Sequence, residues 1–160
     1  MVQVGDCGWH WASEVMIYCT PPSSPNLTNN PRVTGAGRGL GREICLRLIK
    51  EGVKLTCVDV SLSTAEETAA LCNATRPGSA TAAYCDIADK QQVSKLVEQV
   101  PPVDILINNA GIVSSASILE VTDEHIERLM QVNILSQFWV SFSYQYSFYL
   151  NQCRDIKKNV

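Results

Sequence analysis

Glycine occupies every second position of one short segment, at residues 35, 37, 39 and 41 of this 160-residue chain. Apolar residues at helical spacing follow at once, and we expect a helix over 39–51. A glycine turn before a helix lets the backbone approach a phosphate, and the helix N-terminus offers N–H groups and a positive dipole end to the anion. An ordinary loop is the alternative, because Leu40 stands where the common Gly-x-Gly-x-x-Gly pattern requires its third glycine.

An acidic residue follows at the spacing that a nucleotide would require. Asp59 ends the apolar stretch 53–60, which we expect to be a buried strand, eighteen residues after Gly41. A carboxylate there can accept hydrogen bonds from the ribose hydroxyls of NAD and repel the 2′-phosphate of NADP. The pattern therefore predicts NAD. Arg38 in the loop could favour that phosphate, which keeps NADP as the less favoured alternative. Taken alone, Asp59 could be a solvated strand end.

Helical and strand patterns alternate from residue 33 to about residue 140. Besides the two elements above, we expect strands at 81–86 and 103–108, and helices at 63–72, from Asp89 to about 100, and from Thr122 or Asp123 onward. A capping box of Ser63 and Glu66 would open the second helix. The last helix would carry four apolar residues, namely Ile126, Leu129, Met130 and Val132. Such alternation predicts an α/β fold with a doubly wound parallel sheet.

Four motifs carry a family resemblance. They are TGAGRGLG at 34–41, CDI at 85–87, INNAG at 107–111 and VNILSQFW at 132–139. In this order and at these spacings they resemble the short-chain dehydrogenase/reductase family over about residues 33–140, with the last motif most similar to its hydroxysteroid and retinol dehydrogenase branch. The resemblance implies a Rossmann-like sheet and NAD(P)-dependent oxidation of alcohols or reduction of carbonyl compounds, with steroids or retinoids among the substrates of intact relatives.

The resemblance also implies roles for matching residues. Glycines of the loop would line the pyrophosphate, Asp59 would bind the adenosine ribose, and Asp86 would bind the adenine amino group with Ile87 against the ring. Asn109 would tether neighbouring strands behind the nicotinamide. The implied cofactor-binding set is Thr34, Gly35, Arg38, Gly39, Leu40, Gly41, Asp59, Asp86, Ile87, Asn109, Ala110 and Gly111. Asn133 matches the asparagine of the family's Asn-Ser-Tyr-Lys tetrad, and we identify no other tetrad member.

The chain departs from the family at the tyrosine and lysine that form the family's acid/base pair. A tyrosine with a lysine four residues later is required, because an unperturbed phenol near pKa 10 is a poor base at neutral pH and a nearby cation favours its phenolate. Four residues after the five tyrosines stand Pro22, Ala88, Phe148, Leu150 and Cys153. We therefore predict that this chain is catalytically inactive alone.

Both ends also look foreign to the family. We divide the chain into an irregular N-terminal segment (1–31), a dinucleotide-binding part (32–140) and a divergent tail (141–160). Pro31 cannot donate to a strand ladder, so only a stub of two or three residues is expected for the first strand, beside strands 2, 3 and 4. Strand 103–108 would then present an unpaired edge. These features favour a chain shortened at both ends, by splicing or by a gene-model error.

Composition excludes several other classes. The net charge is −3 without a basic block, which argues against a nucleic-acid partner. The seven cysteines show no metal-ligand spacing, so we expect free thiols in a reducing compartment and no metal. No apolar run is long enough to span a membrane, and no signal peptide is evident. We expect a cytoplasmic location, whereas endoplasmic-reticulum or lipid-droplet association is expected of intact relatives.

Three functional hypotheses follow. The first is a member of the dehydrogenase lineage that lacks activity alone, and we favour it. The second is a non-catalytic module that binds NAD or pairs with another chain as a homo- or hetero-oligomer. The third is an unstable, non-functional product. A methyltransferase would not account for the motifs at 107–111 and 132–139.

Overall fold

A six-stranded sheet forms the centre of the computed structural model of this protein, which describes residues 9–12, 15–19, 30–100, 103–114, 117 and 119–146. The strands are β1 (Trp9–Ala12), β2 (Val15–Cys19), β3 (Pro31–Thr34), β4 (Leu55–Asp59), β5 (Ala80–Tyr84) and β6 (Ile105–Asn108). The helices are α1 (Gly39–Lys50), α2 (Leu62–Thr75), α3 (Lys90–Gln99) and α4 (Asp123–Met130). A π-helical turn, Gln131–Leu135, leads from α4 into a final helix over 136–146.

Strand order across the sheet is β1-β2-β6-β3-β4-β5. The four strands β6, β3, β4 and β5 are parallel, with Val33 opposite Cys57 on one side and Ile107 on the other. Helices cover both faces of this parallel part. The doubly wound α/β fold predicted from the alternating patterns is therefore confirmed.

Alternating strand residues supply two cores, one on each face of the sheet. Cys57 packs with the buried side of α1 and α2, whereas its neighbour Val58 packs with α3 and the helix over 136–146. This alternation is the period of two that a strand imposes on its side chains. The two cores hold the carboxyl ends of β3, β4 and β6 at one edge of the sheet, where the turns that carry the candidate site begin.

The N-terminal segment is not irregular where the structure describes it. β1 and β2 form an antiparallel hairpin, and β2 pairs antiparallel with β6, placing Met16 opposite Asn108 and Cys19 opposite Ile105. The predicted unpaired edge of strand 103–108 is thus wrong. The hairpin supplies hydrogen-bonding partners for backbone groups of β6 that would otherwise face solvent. Residues 1–8, 13–14 and 20–29 lie outside the described residues.

Two local predictions also need correction, and the exposure of α4 is a separate finding. β3 has four buried residues rather than two or three, because Pro31 is its first residue, a position where a missing N–H is tolerated. α2 begins after Ser61 without a side-chain cap, so the capping box of Ser63 and Glu66 is wrong. α4 contains no buried residue, and Ile126 and Met130 are about half exposed, whereas Val132 in the next turn is buried.

Two further points at the helix ends agree with expectation. Asp89 caps α3 through hydrogen bonds from the backbone N–H groups of Gln91 and Gln92. Thr122 caps α4 through His125 N–H. The helix continues to residue 146, so the first residues of the predicted divergent tail belong to the same helix, and residues 147–160 lie outside the described part of the chain.

Candidate functional site

The glycine segment forms the turn from β3 into α1. Gly39 is the first residue of α1 and has φ +52°, and no atom lies within 4 Å of the position a Cβ would take. Arg38 precedes it in extended conformation without a side-chain cap, and the first turn of α1 contains no acidic residue. The first backbone N–H groups of any α-helix lack intrahelical partners. The turn therefore presents polar hydrogens and open space together, which suits a phosphate group.

Carbonyl groups of the turn are bonded inside the protein. Thr68 Oγ1 donates to the Ala36 carbonyl over 2.9 Å, and Arg42 Nη2 donates to the Gly37 carbonyl over 2.5 Å. A Cβ at Gly41 would collide with the Gly35 carbonyl oxygen, so the helix and the turn pack too closely for any other residue there. These hydrogen bonds engage the carbonyl oxygens of Ala36 and Gly37 within the protein, so that they do not face an incoming anion.

Asp59, at the end of β4, faces the turn. Its Oδ2 accepts a hydrogen bond of 2.8 Å from Gly37 N–H, and its Oδ1 accepts one of 3.0 Å from Ser61 N–H. An ionised carboxylate has about four acceptor sites, so acceptor capacity remains beyond these two bonds. The carboxylate and the glycine turn are thus neighbours, as the sequence spacing predicts.

β3 and β6 are joined where both strands end. Asn109 Nδ2 donates to the Thr34 carbonyl over 2.9 Å and to the Gly35 carbonyl over 3.2 Å. In the other direction, Thr34 Oγ1 accepts from the N–H groups of Asn109 and Ala110, each over 3.1 Å. The expected tether between neighbouring strands is present, and Thr34 is its buried partner rather than a wall of the site.

The segment after β5 forms the opposite end of the site. Asp86 Oδ1 accepts from Ala88 N–H over 2.9 Å, and Asp86 Oδ2 pairs with Arg128 Nη2 over 3.3 Å. Cys85 lines the same end, and burial together with nearby carboxylates raises the pKa of its thiol to about 11. The thiol is therefore protonated at neutral pH and serves as an apolar wall rather than as a nucleophile.

Asn133 lies in the π-helical turn and bonds the backbone of one residue twice. Its Oδ1 accepts from Ile112 N–H and its Nδ2 donates to the Ile112 carbonyl, each over 2.8 Å. Both ends of the amide are therefore engaged with the segment that follows Gly111. In this structure the side chain fixes that segment in place.

These elements enclose a cleft of about 390 Å³. Eleven of the residues implied by the resemblance line it, namely Gly35, Arg38, Gly39, Leu40, Gly41, Asp59, Asp86, Ile87, Asn109, Ala110 and Gly111. Thr34 and Asn133 are not among the lining residues. The sequence patterns did not identify the other lining residues, which are Val58, Val60, Cys85, Ile112, Arg128 and Val132. Of these, Arg128 had no local signal that distinguishes it from any exposed helix arginine.

The cleft suits an adenine dinucleotide on geometric grounds. The open helix start at Gly39 and the carboxylate of Asp59 line the cleft together with apolar side chains that include Ile87 and Val132. These features match the diphosphate, the ribose and the flat base respectively. Residues that would hold the cofactor are therefore present in this chain.

Comparison with known proteins agrees with this geometry. The family model described as short chain dehydrogenase matches residues 32–148. The chain belongs to the short-chain dehydrogenase family. Estradiol 17-beta-dehydrogenase 11 from Rattus norvegicus is 35% identical over 114 residues, which cover 68% of this chain and 38% of that protein. Epidermal retinol dehydrogenase 2 from Homo sapiens is 37% identical over 114 residues, which cover 67% of this chain and 36% of that protein. The branch suggested by the motif at 132–139 is thereby confirmed.

Solved structures show the same fold. A crystal structure from Beutenbergia cavernae, assigned to an NAD(P) dependent gluconate 5-dehydrogenase with bound NADP, superposes with a TM-score of 0.69 at 28% identity. The match covers 76% of this short-chain dehydrogenase and 49% of that chain. A short-chain dehydrogenase/reductase mutant from Serratia marcescens gives a TM-score of 0.67 at 28% identity, covering 74% of this chain and 50% of that chain.

The matched region is only part of the relatives. This chain spans 38% of the length of the rat protein and 36% of the human one.

In the described part of this short-chain dehydrogenase, no helix combines the length and apolar character needed to cross a membrane.

Proposed function

We propose that this chain binds NAD in the cleft between the start of α1 and the ends of β4 and β5. The family binds nicotinamide dinucleotides, and the choice of NAD over NADP is our inference. It is supported by the Asp59 carboxylate, which Gly37 and Ser61 hold beside the glycine turn, where it would repel a 2′-phosphate. The Beutenbergia cavernae structure has NADP bound, so membership of the family does not by itself decide between NAD and NADP.

One observation carries the proposal. Gly39 opens α1 with a left-handed backbone and free space where a side chain would be, directly beside the carboxylate-bearing end of β4. Any other residue would be strained there and would fill the space needed by the diphosphate. A loop that only connects a strand to a helix does not require a left-handed glycine with open space beside a carboxylate.

We further propose that the chain alone does not transfer hydride between NAD and an alcohol or carbonyl compound. In its 160 residues no tyrosine has a lysine four positions later. Asn133, the residue that matches the family's tetrad, is occupied by the Ile112 backbone. The nicotinamide of NAD would supply or accept the hydride. The acid/base group that must move the alcohol proton is what the sequence lacks.

The test is a comparison of two glycine substitutions in the full chain. Gly39→Asp places a carboxylate where the diphosphate would bind. Gly78→Asp is the matched control, because Gly78 also has positive φ and open space but lies outside the cleft. We expect similar losses of stability, while calorimetric affinity for NAD falls by about tenfold or more only in Gly39→Asp. Equal affinities in the two variants would refute the site.

Activity is assayed separately with NAD and a panel of secondary alcohols, steroids and retinol. We expect no production of NADH above a boiled-protein control. Turnover that disappears in Asn133→Ala would show that the chain is a working enzyme and would overturn the proposed inactivity without affecting the proposed binding.

A second candidate function is pairing with another polypeptide of the family, either a second copy or a longer relative. It is favoured by a row of exposed apolar side chains at four-residue intervals, Met130, Ile134, Phe138 and Phe142, which are 44–65% exposed. Rows of this kind commonly mark protein contacts. Light scattering of wild type and Phe138→Ser, with Leu119→Ser as an exposed control elsewhere, tests it. A wild-type monomer that also fails to capture a longer relative would exclude this function.

A further inference from the structure

An ion pair spans the end of the cleft that we assign to adenine. Arg128 Nη2 on α4 lies 3.3 Å from Asp86 Oδ2 in the segment after β5, and both residues line the cleft. The Arg128 side chain is 48% exposed and that of Asp86 is 25% exposed. Gln131 Nε2 adds a hydrogen bond of 3.3 Å to the Ala88 carbonyl. α4 has no buried residue, and the contacts of Arg128 and Gln131 connect α4 and the following π-helical turn to the segment after β5.

The surroundings of Asp86 restrict its orientation. Ala88 N–H occupies one site on Oδ1 over 2.9 Å, and the Asp86 backbone N–H donates to Gln92 Oε1 over 3.0 Å. Arg128 takes one site on Oδ2, and this second contact disfavours rotation of the carboxylate about its hydrogen bond to Ala88. Acceptor capacity remains on both oxygens for a ligand. The guanidinium also offsets a negative charge that would otherwise oppose a bound diphosphate.

We propose that Arg128 is a positioning residue that makes this site select adenine over purines with an oxygen at C6. The inference rests on the proposed binding of NAD. An exocyclic amino group can donate to the Asp86 carboxylate, whereas the C6 oxygen of hypoxanthine would bring two acceptors together. The discrimination requires a carboxylate that keeps one preferred orientation, and Arg128 supplies the contact to its second oxygen.

The experiment compares NAD with nicotinamide hypoxanthine dinucleotide, which differs from NAD at C6 of the purine. Calorimetric affinities for both are measured with the full chain as wild type, Arg128→Gln, Arg128→Lys and Asp86→Ala. We expect wild type to prefer NAD by about tenfold, the size of one well-made polar contact. Arg128→Gln should lose most of this preference, Arg128→Lys should keep part of it, and Asp86→Ala should abolish it.

Two further variants separate positioning from general stability. Arg47→Gln removes an arginine from another exposed ion pair, with Glu51 at 2.6 Å and outside the cleft, and should leave the preference unchanged. Adding Arg128→Gln to Asp86→Ala should not change the preference further, because Arg128 acts through Asp86.

The outcomes distinguish this inference from the proposed function. If wild type binds neither dinucleotide, the proposed binding of NAD fails and this inference fails with it. If wild type binds NAD preferentially and Arg128→Gln retains or increases that preference, only the role of Arg128 is overturned. A change in melting temperature without a change in preference would show Arg128 to be a structural ion pair and would equally reject the inference.

Discussion

The buried guanidinium of Arg32 in β3 donates a hydrogen bond to the hydroxyl of Tyr144 in the helix over 136–146. The guanidinium carbon also lies 4.7 Å from the centre of the Tyr144 ring. Arg32 is 1% exposed and Tyr144 7% exposed, so the contact lies inside the protein between the sheet and the helix that follows the Asn133 motif. This contact joins the strand that leads into the glycine turn to the C-terminal end of the described chain.

Tyr144→Phe should therefore lower the free energy of unfolding. The change keeps the ring but removes the oxygen that accepts from a buried cation, which costs about 1–3 kcal/mol. Urea denaturation measures the loss, and Tyr146→Phe is the control, because Tyr146 is 66% exposed. Identical midpoints for the two variants would contradict a stabilising role for the hydroxyl.

The same hydroxyl should make stability fall in alkali. Burial raises the pKa of Tyr144 above its ordinary value of 10.0, and Arg32 only partly offsets this effect. Because the folded state favours the neutral phenol, its contribution is fully present below about pH 10 and is lost as the pH rises through the folded-state pKa. Unfolding free energies from pH 8 to pH 11 should converge for wild type and Tyr144→Phe. A constant difference would disprove the linkage.

Asp59→Asn should change the cofactor preference. The amide lacks the charge that repels a 2′-phosphate, while it retains one acceptor for Gly37 N–H or Ser61 N–H. We expect weaker binding of NAD and a rise of about tenfold in the ratio of NADP to NAD affinity. Titration calorimetry with both dinucleotides gives the ratio, and Glu66→Gln, on the exposed surface of α2, is the control. An unchanged ratio would remove the argument for NAD.

Asn133→Ala should loosen the wall of the cleft beside Gly111. The change removes two hydrogen bonds of 2.8 Å to Ile112, and we expect a loss of about 0.5–1.5 kcal/mol in unfolding free energy, because water can replace these exposed partners. Hydrogen exchange at the Ile112 amide should accelerate more than exchange at amides in β4. Gln91→Ala provides the comparison, since it also removes a side-chain amide from a helix and Gln91 is exposed on α3. If Ile112 stays protected, the two bonds do not hold this segment.

Ile17→Pro should destabilise the sheet through its backbone. Residue 17 lies opposite Ile107 in the pairing of β2 with β6, and proline removes a donor and fits poorly in a strand with neighbours on both sides. We expect a loss of at least about 1 kcal/mol by denaturation. Ile17→Val keeps the donor and should have a smaller effect. Similar losses in both variants would show that backbone pairing by the hairpin is unimportant.

Local patterns were sufficient for the parallel part of the fold. The continuous apolar stretch around Cys57 and the helical spacing after Gly39 are examples of the patterns that placed four strands and their helices within a few residues of their observed bounds. Asp59 and the glycine turn could be paired from sequence because the carboxyl ends of neighbouring parallel strands meet at one edge of the sheet. The spacing between motifs therefore translates directly into proximity in space.

Contacts that depend on long-range pairing were not predictable. Residues 15–19 contain strand-favouring Val, Ile and Tyr, but nothing in them indicates pairing with β6, because an edge can be covered by any segment with suitable backbone geometry. Arg128 and Asp86 are separated by 42 residues, and only the crossing of α4 over the segment after β5 brings them together. Tyr144, which we placed in a divergent tail, became a core residue for the same reason.

The sequence by itself determined the family, the α/β alternation and the residues of the glycine turn. The first two follow from the local spacing of motifs and apolar residues, and the third follows from the backbone freedom of glycine. Tertiary structure alone decided how the β6 edge is covered, how the Asn133 amide is used and which cation faces Asp86. These depend on which distant segments meet, and the free energy of such contacts arises only when the whole chain has folded.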